Sequence, residues 1–178
     1  WATEAAAIEE VGVLGATLGC LYSIMPSIVG EALLRFGSRE LHEAYLKPML
    51  KGELCSAEAI TEATGGSDVF GAMRTTAVKR GGYYVLNGEK RFVVGAVRAD
   101  FFIVYARTDP KARPPQAGVS AFVVERGEGV EVKAVYGTLG VRGAETGRIR
   151  FRNVKIPEEN LLGAENGGYE VFNRNDGA

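Results

Sequence analysis

Residues 59–71, which read AITEATGGSDVFG, carry the strongest information on the fold. An apolar segment leads into Gly65 and Gly66, so this stretch is predicted to be a strand that ends in a glycine-rich turn. Such a turn presents backbone N–H groups that no Cβ shields, which suits the binding of a pyrophosphate. Taken alone, however, a turn of this composition is more often an ordinary tight turn.

A second stretch, residues 88–96, reads GEKRFVVGA and contains an aromatic residue followed by two β-branched ones. Together with residues 83–86 it is predicted to form a hairpin with a primed turn at Asn87-Gly88. Phe92 and the two valines after it could offer an apolar wall and a main-chain donor to the ring of a ligand. A strand end of this composition is more often part of the hydrophobic core. Only the occurrence of both stretches together therefore indicates a ligand.

The N-terminal part of the chain, residues 1 to about 52, has its apolar residues at helical spacing. Gly37 is predicted to end one helix, and Ser38 to cap the next. Pro48 is predicted to break or end that helix, because proline lacks the N–H that a helix interior uses. This part is therefore expected to be helical, in several pieces.

From Glu53 onwards the apolar residues recur at every second position, which predicts β-structure. About seven short strands are expected before the chain passes Ile156, with a bulge at Asn153 where the alternation slips. Residues 109–117 hold three of the six prolines and are expected to form a surface loop. Many short strands separated by turn signals favour a sandwich or barrel.

The predicted fold class is α+β with several domains. Part of an N-terminal helical bundle (residues 1–54) precedes an antiparallel β-barrel or sandwich (residues 55–165). Residues 166–178 are predicted to be the truncated start of a C-terminal helical domain. The chain begins without Met and ends without a helix stop, so we expect it to be a piece of a longer protein.

Composition excludes some functional classes. The net charge is −1 and the pI about 6.0, so there is no basic excess for nucleic acid. The first residues show neither a signal peptide nor an apolar run that could span a bilayer. We expect a cytoplasmic protein, or a mitochondrial-matrix protein if the source is eukaryotic. Cys20 and Cys55 have no metal-binding spacing and are expected to be buried free thiols.

The two stretches, in this order, resemble the pair of flavin-binding motifs of the acyl-CoA dehydrogenase family. The similarity extends to residues 28–54 (IVGEALLRFGSRELHEAYLKPMLKGEL), residues 139–143 (LGVRG) and residues 151–163 (FRNVKIPEENLLG). It covers nearly the whole chain, from about Ala16 to Phe172. Chance similarity across that many ordered motifs is improbable.

The resemblance implies where the cofactor, FAD, is bound. Thr61 corresponds to a residue that contacts the pyrimidine side of the flavin, and Ser67 to one that reaches both the pyrophosphate and the pantetheine of the substrate. The cofactor-binding residues implied in this way are Glu58, Ile60, Thr61, Gly65, Gly66, Ser67, Phe92, Val93 and Val94.

The resemblance also implies an activity and partners. Members of the family dehydrogenate an acyl-CoA thioester: a glutamate removes the α-proton while the β-hydride passes to flavin N5. In most members that base lies in the C-terminal helical domain, so no catalytic residue is expected within this chain. Glu62 is instead expected to accept hydrogen bonds from loop amides, and Glu125 and Glu145 to be solvated. An electron-transfer flavoprotein and a homodimer or homotetramer are implied as partners.

Three positions depart from the family pattern. Val94 stands where the family usually has a hydroxyl residue that hydrogen-bonds flavin N5, so that bond is lost although the main-chain N–H remains. Phe92 stands where tryptophan is usual, and Glu58 where an aromatic or small residue is usual. Two alternatives therefore stay open. One is an acyl-CoA oxidase or flavin monooxygenase of the same fold, and the other is a β-domain that only binds or assembles.

Other kinds of site have little support in the sequence. His42 is the only histidine and is expected at the surface, and nothing in the spacing brings it to Ser67 and Asp68 for a catalytic triad. No cluster of metal-binding residues is seen. The arginine row of Arg148, Arg150 and Arg152 is expected to be a solvated face of a strand.

Overall fold

A computed structural model describes residues 2–175. Trp1 and residues 176–178 lie outside the described range, and with them the last part of the predicted C-terminal domain. The helices are α1 (Ala2–Leu14), α2 (Ala16–Ile24), α3 (Glu31–Phe36), α4 (Arg39–Leu41), α5 (Lys47–Leu50) and α6 (Gly168–Asn175), with wider π turns at Met25–Gly30 and His42–Leu46.

The helix ends follow the sequence signals except at the proline. The Oγ atom of Ser38 accepts a hydrogen bond from the N–H of Leu41, which makes it the predicted N-cap. Gly37 lies at the end of α3 in an extended conformation. Pro48 does not break the helix, contrary to our prediction, since the chain remains helical to Leu50. The wide π turn just before it accommodates a ring that would clash within regular α turns.

The helical run Ala16–Phe36 contains 21 residues, with a mean hydropathy of 1.4 over its most apolar window. By length and composition alone it could cross a membrane. The buried helix of a water-soluble core meets the same criterion; in this run Val29 and Leu33 are fully buried, while 28% of the window as a whole is buried. The run therefore carries no membrane assignment.

The β-domain is one eight-stranded sheet in the order β6-β7-β3-β2-β4-β5-β8, with β1 paired to β4. Most neighbours are antiparallel, but β1 and β2 each run parallel to β4. The strands are β1 (Ser56–Ala59), β2 (Thr76–Lys79), β3 (Tyr83–Val93), β4 (Phe101–Arg107), β5 (Val119–Glu125), β6 (Val130–Val135), β7 (Gly147–Pro157) and β8 (Leu161–Leu162).

The hairpin predicted at Asn87-Gly88 is wrong. Both residues lie inside the continuous strand β3, which pairs with β2 on one side and with β7 on the other. The glycine is needed for a close approach, because a Cβ at Gly88 would lie 2.3 Å from the Oγ1 atom of Thr75. The amide oxygen of Asn87 accepts a hydrogen bond of 2.8 Å from the N–H of Asn153 on β7.

The bulge predicted at Asn153 is confirmed. The register between β3 and β7 shifts at this point, and Asn153 has a φ of 49°. The polar pair across the two strands therefore stabilises an irregularity in the sheet instead of a turn. An Asn-Gly sequence is suited both to a hairpin turn and to an irregularity within a strand. The sequence alone therefore could not distinguish the two.

The sheet has a packed core on each face. Along β4, Phe101, Ile103 and Tyr105 pack against the helices, whereas Phe102 and Val104 pack into the interior of the curled sheet. All five are buried, as the continuous apolar run of this strand predicted. The predicted fold class is confirmed: a helical N-terminal part is followed by a β-sheet domain. The sheet also joins the N-terminal helices on one face, and that arrangement forms the cleft described next.

The predicted burial of the cysteines and of the histidine needs correction. Both cysteines are free thiols, but Cys20 is only partly buried and Cys55 is exposed. His42 is partly buried, and its Nε2 atom lies 2.9 Å from the carbonyl oxygen of Leu33. The imidazole therefore joins two helical segments. The apolar residues around these positions gave no indication of which helix face the sheet would cover.

Candidate functional site

A cleft of about 130 Å³ lies where the C-terminal ends of β1 and β3 meet the N-terminal helical part. β1 pairs with β4 and β3 with β2 and β7, but a hydrogen bond joins β3 to the chain just beyond β1: the N–H of Arg91 donates to the carbonyl oxygen of Thr61 at 2.8 Å. The residues that line the cleft are Ile24, Ile28, Glu58, Ile60, Thr61, Arg91, Phe92 and Val94.

Five of the predicted site residues meet in this cleft, although they come from stretches some thirty positions apart in the sequence. The sequence reasoning missed three lining residues. Ile24 and Ile28 stand four positions apart on one face of the helical run, a spacing that indicates only an apolar stripe. Arg91 reads as an ordinary solvent-facing residue of a strand. Their shared location depends on how the helices cover the sheet.

At the end of β3, the side chains of residues 92–94 point in alternating directions. Phe92 has 61% of its surface exposed and stacks on Tyr136 with ring centroids 4.9 Å apart. Its φ is 56°, in the left-handed region that aromatic residues rarely adopt. Val93 is 1% exposed and packs in the interior core, so only its main chain remains available to a ligand. Val94 returns to the cleft.

The glycine-rich turn lies outside the lining of the cleft. Gly66 and Ser67 are exposed, and a Cβ placed on Gly66 would meet no atom within 4 Å. A Cβ on Gly65 would come within 2.5 Å of the carbonyl oxygen of Asp68. Gly65 is therefore required by the loop itself, whereas Gly66 leaves the backbone open to an approaching molecule.

The loop that carries this turn, residues 60–75, is held by its own hydrogen bonds. The Oγ1 atom of Thr64 donates to the carbonyl oxygen of Ala72 at 2.8 Å. The side chain of Asp68 accepts from the N–H of Gly71, also at 2.8 Å. An open turn on a well-bonded loop fits the needs of a pyrophosphate, which binds to N–H groups that are fixed in advance.

A buried ion pair lies behind the cleft. The Nζ atom of Lys90 is 2.9 Å from the Oε1 atom of Glu62, and the two side chains are 0% and 7% exposed. Glu62 also accepts hydrogen bonds from the N–H groups of Arg74 (2.7 Å) and Thr75 (3.0 Å). The prediction that Glu62 accepts loop amides is confirmed, but its buried lysine partner was missed.

The environment shifts the pKa of both partners. Burial by itself would raise the pKa of Glu62, but the ammonium of Lys90, with the N–H groups of Thr75 and Arg74, holds that pKa below its usual value. Burial lowers the pKa of Lys90 to about 8, against the opposing effect of the Glu62 carboxylate. Lys90 is part of a strand with alternating polarity, so its sequence context indicates an exposed position.

The arginine row of β7 is partly neutralised. Arg150 donates to the Oε2 atom of Glu89 at 2.9 Å, and Arg148 lies 3.7 Å from the other carboxylate oxygen. The two guanidiniums are about one third exposed, at 35% and 31%. Arg152 is exposed, which agrees with the expected solvated face.

A larger cavity of about 680 Å³ lies elsewhere, between the ends of β5 and β7 and the helical part. Tyr45 lines it and donates a hydrogen bond of 2.8 Å to Glu125. Burial, together with this carboxylate, raises the pKa of Tyr45 to about 12. None of the predicted site residues lines this cavity. Within residues 2–175, no three or more His, Cys, Asp or Glu side chains group to hold a metal ion.

Comparison with protein families gives the class of the protein. The acyl-CoA dehydrogenase N-terminal domain matches residues 1–53, and the acyl-CoA dehydrogenase middle domain matches residues 57–154. These two matches cover most of the chain, which therefore belongs to the acyl-CoA dehydrogenase family. The resemblance that rested on the two motifs is confirmed.

Curated relatives agree with this assignment. The chain is 36% identical to the mitochondrial isovaleryl-CoA dehydrogenase of Pongo abelii, over 93% of this chain and 39% of the relative. It is 39% identical to the CarC subunit of the caffeyl-CoA reductase-Etf complex of Acetobacterium woodii, over 91% of this chain and 42% of the relative. The chain therefore spans about two fifths of the length of these relatives.

Solved structures show the same fold. An acyl-CoA dehydrogenase from Geobacillus kaustophilus superposes with a TM-score of 0.90 at 34% identity, over 94% of this chain and 44% of that one. An FAD complex of PigA gives 0.85 at 35% identity, over 90% and 41% of the two chains. The prolyl acyl carrier protein oxidase AnaB gives 0.82 at 32% identity, over 87% and 40%.

Proposed function

We propose that this chain is the flavin-binding part of an enzyme that uses FAD to dehydrogenate an acyl-CoA thioester between Cα and Cβ. The observation that carries the proposal is the cleft in which Thr61 from one motif and Phe92 and Val94 from the other meet under the helical part. Family membership and a structural neighbour that is an FAD complex support the same cofactor.

The residues present fit FAD. Gly66 and Ser67 are exposed, and their backbone N–H groups would bind the pyrophosphate, with Gly65 shaping the turn. Ile60 and Thr61 offer main-chain and hydroxyl contacts to the pyrimidine edge of the ring. Each of these groups stands on a loop or strand end that hydrogen bonds hold in place.

The wall of the ring site would come from β3. Phe92 provides an exposed aromatic face, Val94 a side chain in the cleft and Val93 a main-chain donor. Glu58 would border the same cleft from β1. When FAD is bound, it supplies the hydride acceptor, which no amino-acid side chain can provide.

The substrate is proposed to lie against the ring, with Ser67 near its pantetheine. Ile24 and Ile28 line the cleft on the helical side and offer apolar contacts for an acyl chain. The base that removes the α-proton would come from the part of the protein beyond this chain. Polar contacts to the thioester carbonyl would stabilise the enolate-like charge as that proton leaves.

The remaining proposals follow the relatives. We propose domains at residues 1–54, 55–165 and 166–178, an electron-transfer flavoprotein as electron acceptor, and a homodimer or homotetramer. One relative belongs to a reductase complex with Etf, which supports an electron-transfer flavoprotein as a partner. We propose the cytoplasm as location, or the mitochondrial matrix if the source is eukaryotic.

The test uses the full-length protein that contains this chain. Its visible spectrum is recorded before and after anaerobic addition of a panel of acyl-CoA thioesters. A yellow protein bleached by one thioester is the expected result. A colourless protein that takes up no added FAD would overturn the proposal and favour a β-domain that only binds or assembles.

A second candidate is an oxidase or monooxygenase of the same fold, in which oxygen reoxidises the flavin. It is favoured by Val94, which removes a hydroxyl from the cleft, and by a structural neighbour that is an acyl carrier protein oxidase. Stopped-flow mixing of the reduced enzyme with oxygen discriminates the two. Slow reoxidation supports the dehydrogenase, and fast reoxidation supports the oxidase.

A further inference from the structure

The ion pair between Glu62 and Lys90 lies between the two stretches that border the candidate site. Glu62 follows Thr61 directly, and Lys90 stands two positions before Phe92. Neither charged side chain lines the cleft, and both are almost completely buried. Each charge therefore acts on the cleft only through neighbouring residues.

The hydrogen bonds of this pair tie together both ends of the loop and the end of β3. The Nζ atom of Lys90 donates to the carbonyl oxygen of Ile60 as well as to Glu62, each at 2.9 Å. The carboxylate of Glu62 receives the N–H groups of Arg74 and Thr75, at the far end of the loop. One lysine and one glutamate thus fix where the loop leaves the sheet and where it returns.

A role in net stability does not account for this arrangement. A buried ion pair gains little over well-packed apolar residues, because removing two charges from water costs about as much as their attraction returns. What such a pair can fix is a unique geometry. Here the geometry concerned is the distance between the glycine-rich turn and the aromatic wall.

We propose that Glu62 and Lys90 are positioning residues that hold the glycine-rich turn and the end of β3 at the spacing one FAD molecule requires. This inference rests on the proposed function. We call the pair of Glu62 and Lys90 the clamp. Without it, the glycine-rich turn and the end of β3 would each persist, but they would no longer be held at a fixed distance from each other.

The first test compares two double variants of the full-length protein. Lys90→Met/Glu62→Gln removes both buried charges and leaves no unpaired one, so the fold is expected to persist. The control, Lys79→Met/Glu158→Gln, removes an ion pair of the same composition that is about half exposed, at 44% and 46%. FAD affinity, measured by quenching of flavin fluorescence, is expected to fall by on the order of tenfold in the clamp variant only.

Unchanged FAD affinity in the clamp variant would overturn the inference. Equal losses in the clamp variant and its control would overturn it as well, because the effect would then belong to charge removal in general. If the unsubstituted protein takes up no FAD, the proposed function fails first, and the clamp fails with it.

The second test varies the pH and compares the unsubstituted protein with the clamp variant. Lys90 faces Glu62 from the loop and the positive charge of Arg107 from β4. Because burial lowers the pKa of Lys90 to about 8, the clamp is expected to lose its ammonium as the pH rises through that value. FAD release from the unsubstituted protein is therefore expected to accelerate between pH 7 and 9, and release from the clamp variant to stay flat.

Unfolding cannot produce this pH dependence through Lys90. Its pKa is lower in the folded protein than the ordinary 10.5, so between these two values the unfolded state binds more protons and the free energy of unfolding rises with pH through this residue. Faster flavin release with rising pH thus reports the clamp. An identical pH slope in the clamp variant would overturn the inference.

Discussion

The two segments that border the candidate site, residues 60–67 and residues 92–94, are held by different forces. The first depends on the buried carboxylate of Glu62, which binds the ammonium of Lys90 and loop N–H groups. The second depends on packing: Val93 is buried in the interior core while Phe92 stacks outside on Tyr136.

This difference teaches how each segment tolerates change. A buried polar network fails sharply, because the removal of one partner leaves the others unsatisfied without water to replace it. A packed strand end loses contacts in proportion to the atoms removed. The loop should therefore be the less tolerant side of the site, although its residues are more exposed.

The largest expected effect comes from Glu62→Ala. It leaves Lys90 buried without its carboxylate, and we expect the free energy of unfolding to fall by about 3–5 kcal/mol. Val93→Ala, on the packed side, should cost about 2 kcal/mol. Urea titrations of the full-length protein measure both. If Val93→Ala proves the more destabilising change, the loop is not the less tolerant of the two segments.

Next come the two neighbouring glycines. Gly65→Ala forces a Cβ against the carbonyl of Asp68, and we expect a loss of about 1–3 kcal/mol in the free energy of unfolding. A side chain at position 66 meets no neighbouring atom, so the Gly66→Val variant should stay folded. It should nevertheless lose its FAD, because the branched side chain blocks the approach of the pyrophosphate to the backbone. Thermal unfolding and flavin content separate the two. Full flavin content in the Gly66→Val variant would contradict the assignment.

A smaller effect is expected for Phe92→Ala. The ring is 61% exposed, so we expect the free energy of unfolding to change by less than about 1 kcal/mol. FAD affinity should nevertheless fall, since the aromatic wall is lost. Val78→Ala, at another exposed apolar position of the sheet, serves as control. If both variants bind FAD equally well, Phe92 is not part of the wall.

The smallest effect is expected for Val94→Thr. It adds a hydroxyl to the cleft, and we expect the rate of flavin reduction by substrate to be preserved or increased. Val78→Thr makes the same replacement on β2, at a residue that does not line the cleft, and should leave the rate unchanged. Rapid-mixing absorbance measurements give both rates. A severe loss in the Val94→Thr variant would show that this position contacts something other than flavin N5.

Local signals predicted much of the fold. Ser38 as a cap, the fully buried strand β4 and the bulge at Asn153 all follow from properties of a few adjacent residues. The Asn87-Gly88 prediction was wrong because the same two residues suit a turn and a close strand approach. Lys90 was missed because an alternating pattern records which positions are polar and says nothing about which polar residue finds a buried partner.

By itself, the sequence determined the helical and β-structured parts, the two motifs and the family, because those depend on short-range chemistry that is written in consecutive residues. Only the tertiary structure brought Ile24 and Arg91 into one cleft with Thr61, and only it buried Glu62 against Lys90. These contacts join elements that are distant in the chain. Their formation depends on how the helices cover the sheet and on how the sheet curls, since only that packing removes the water between them.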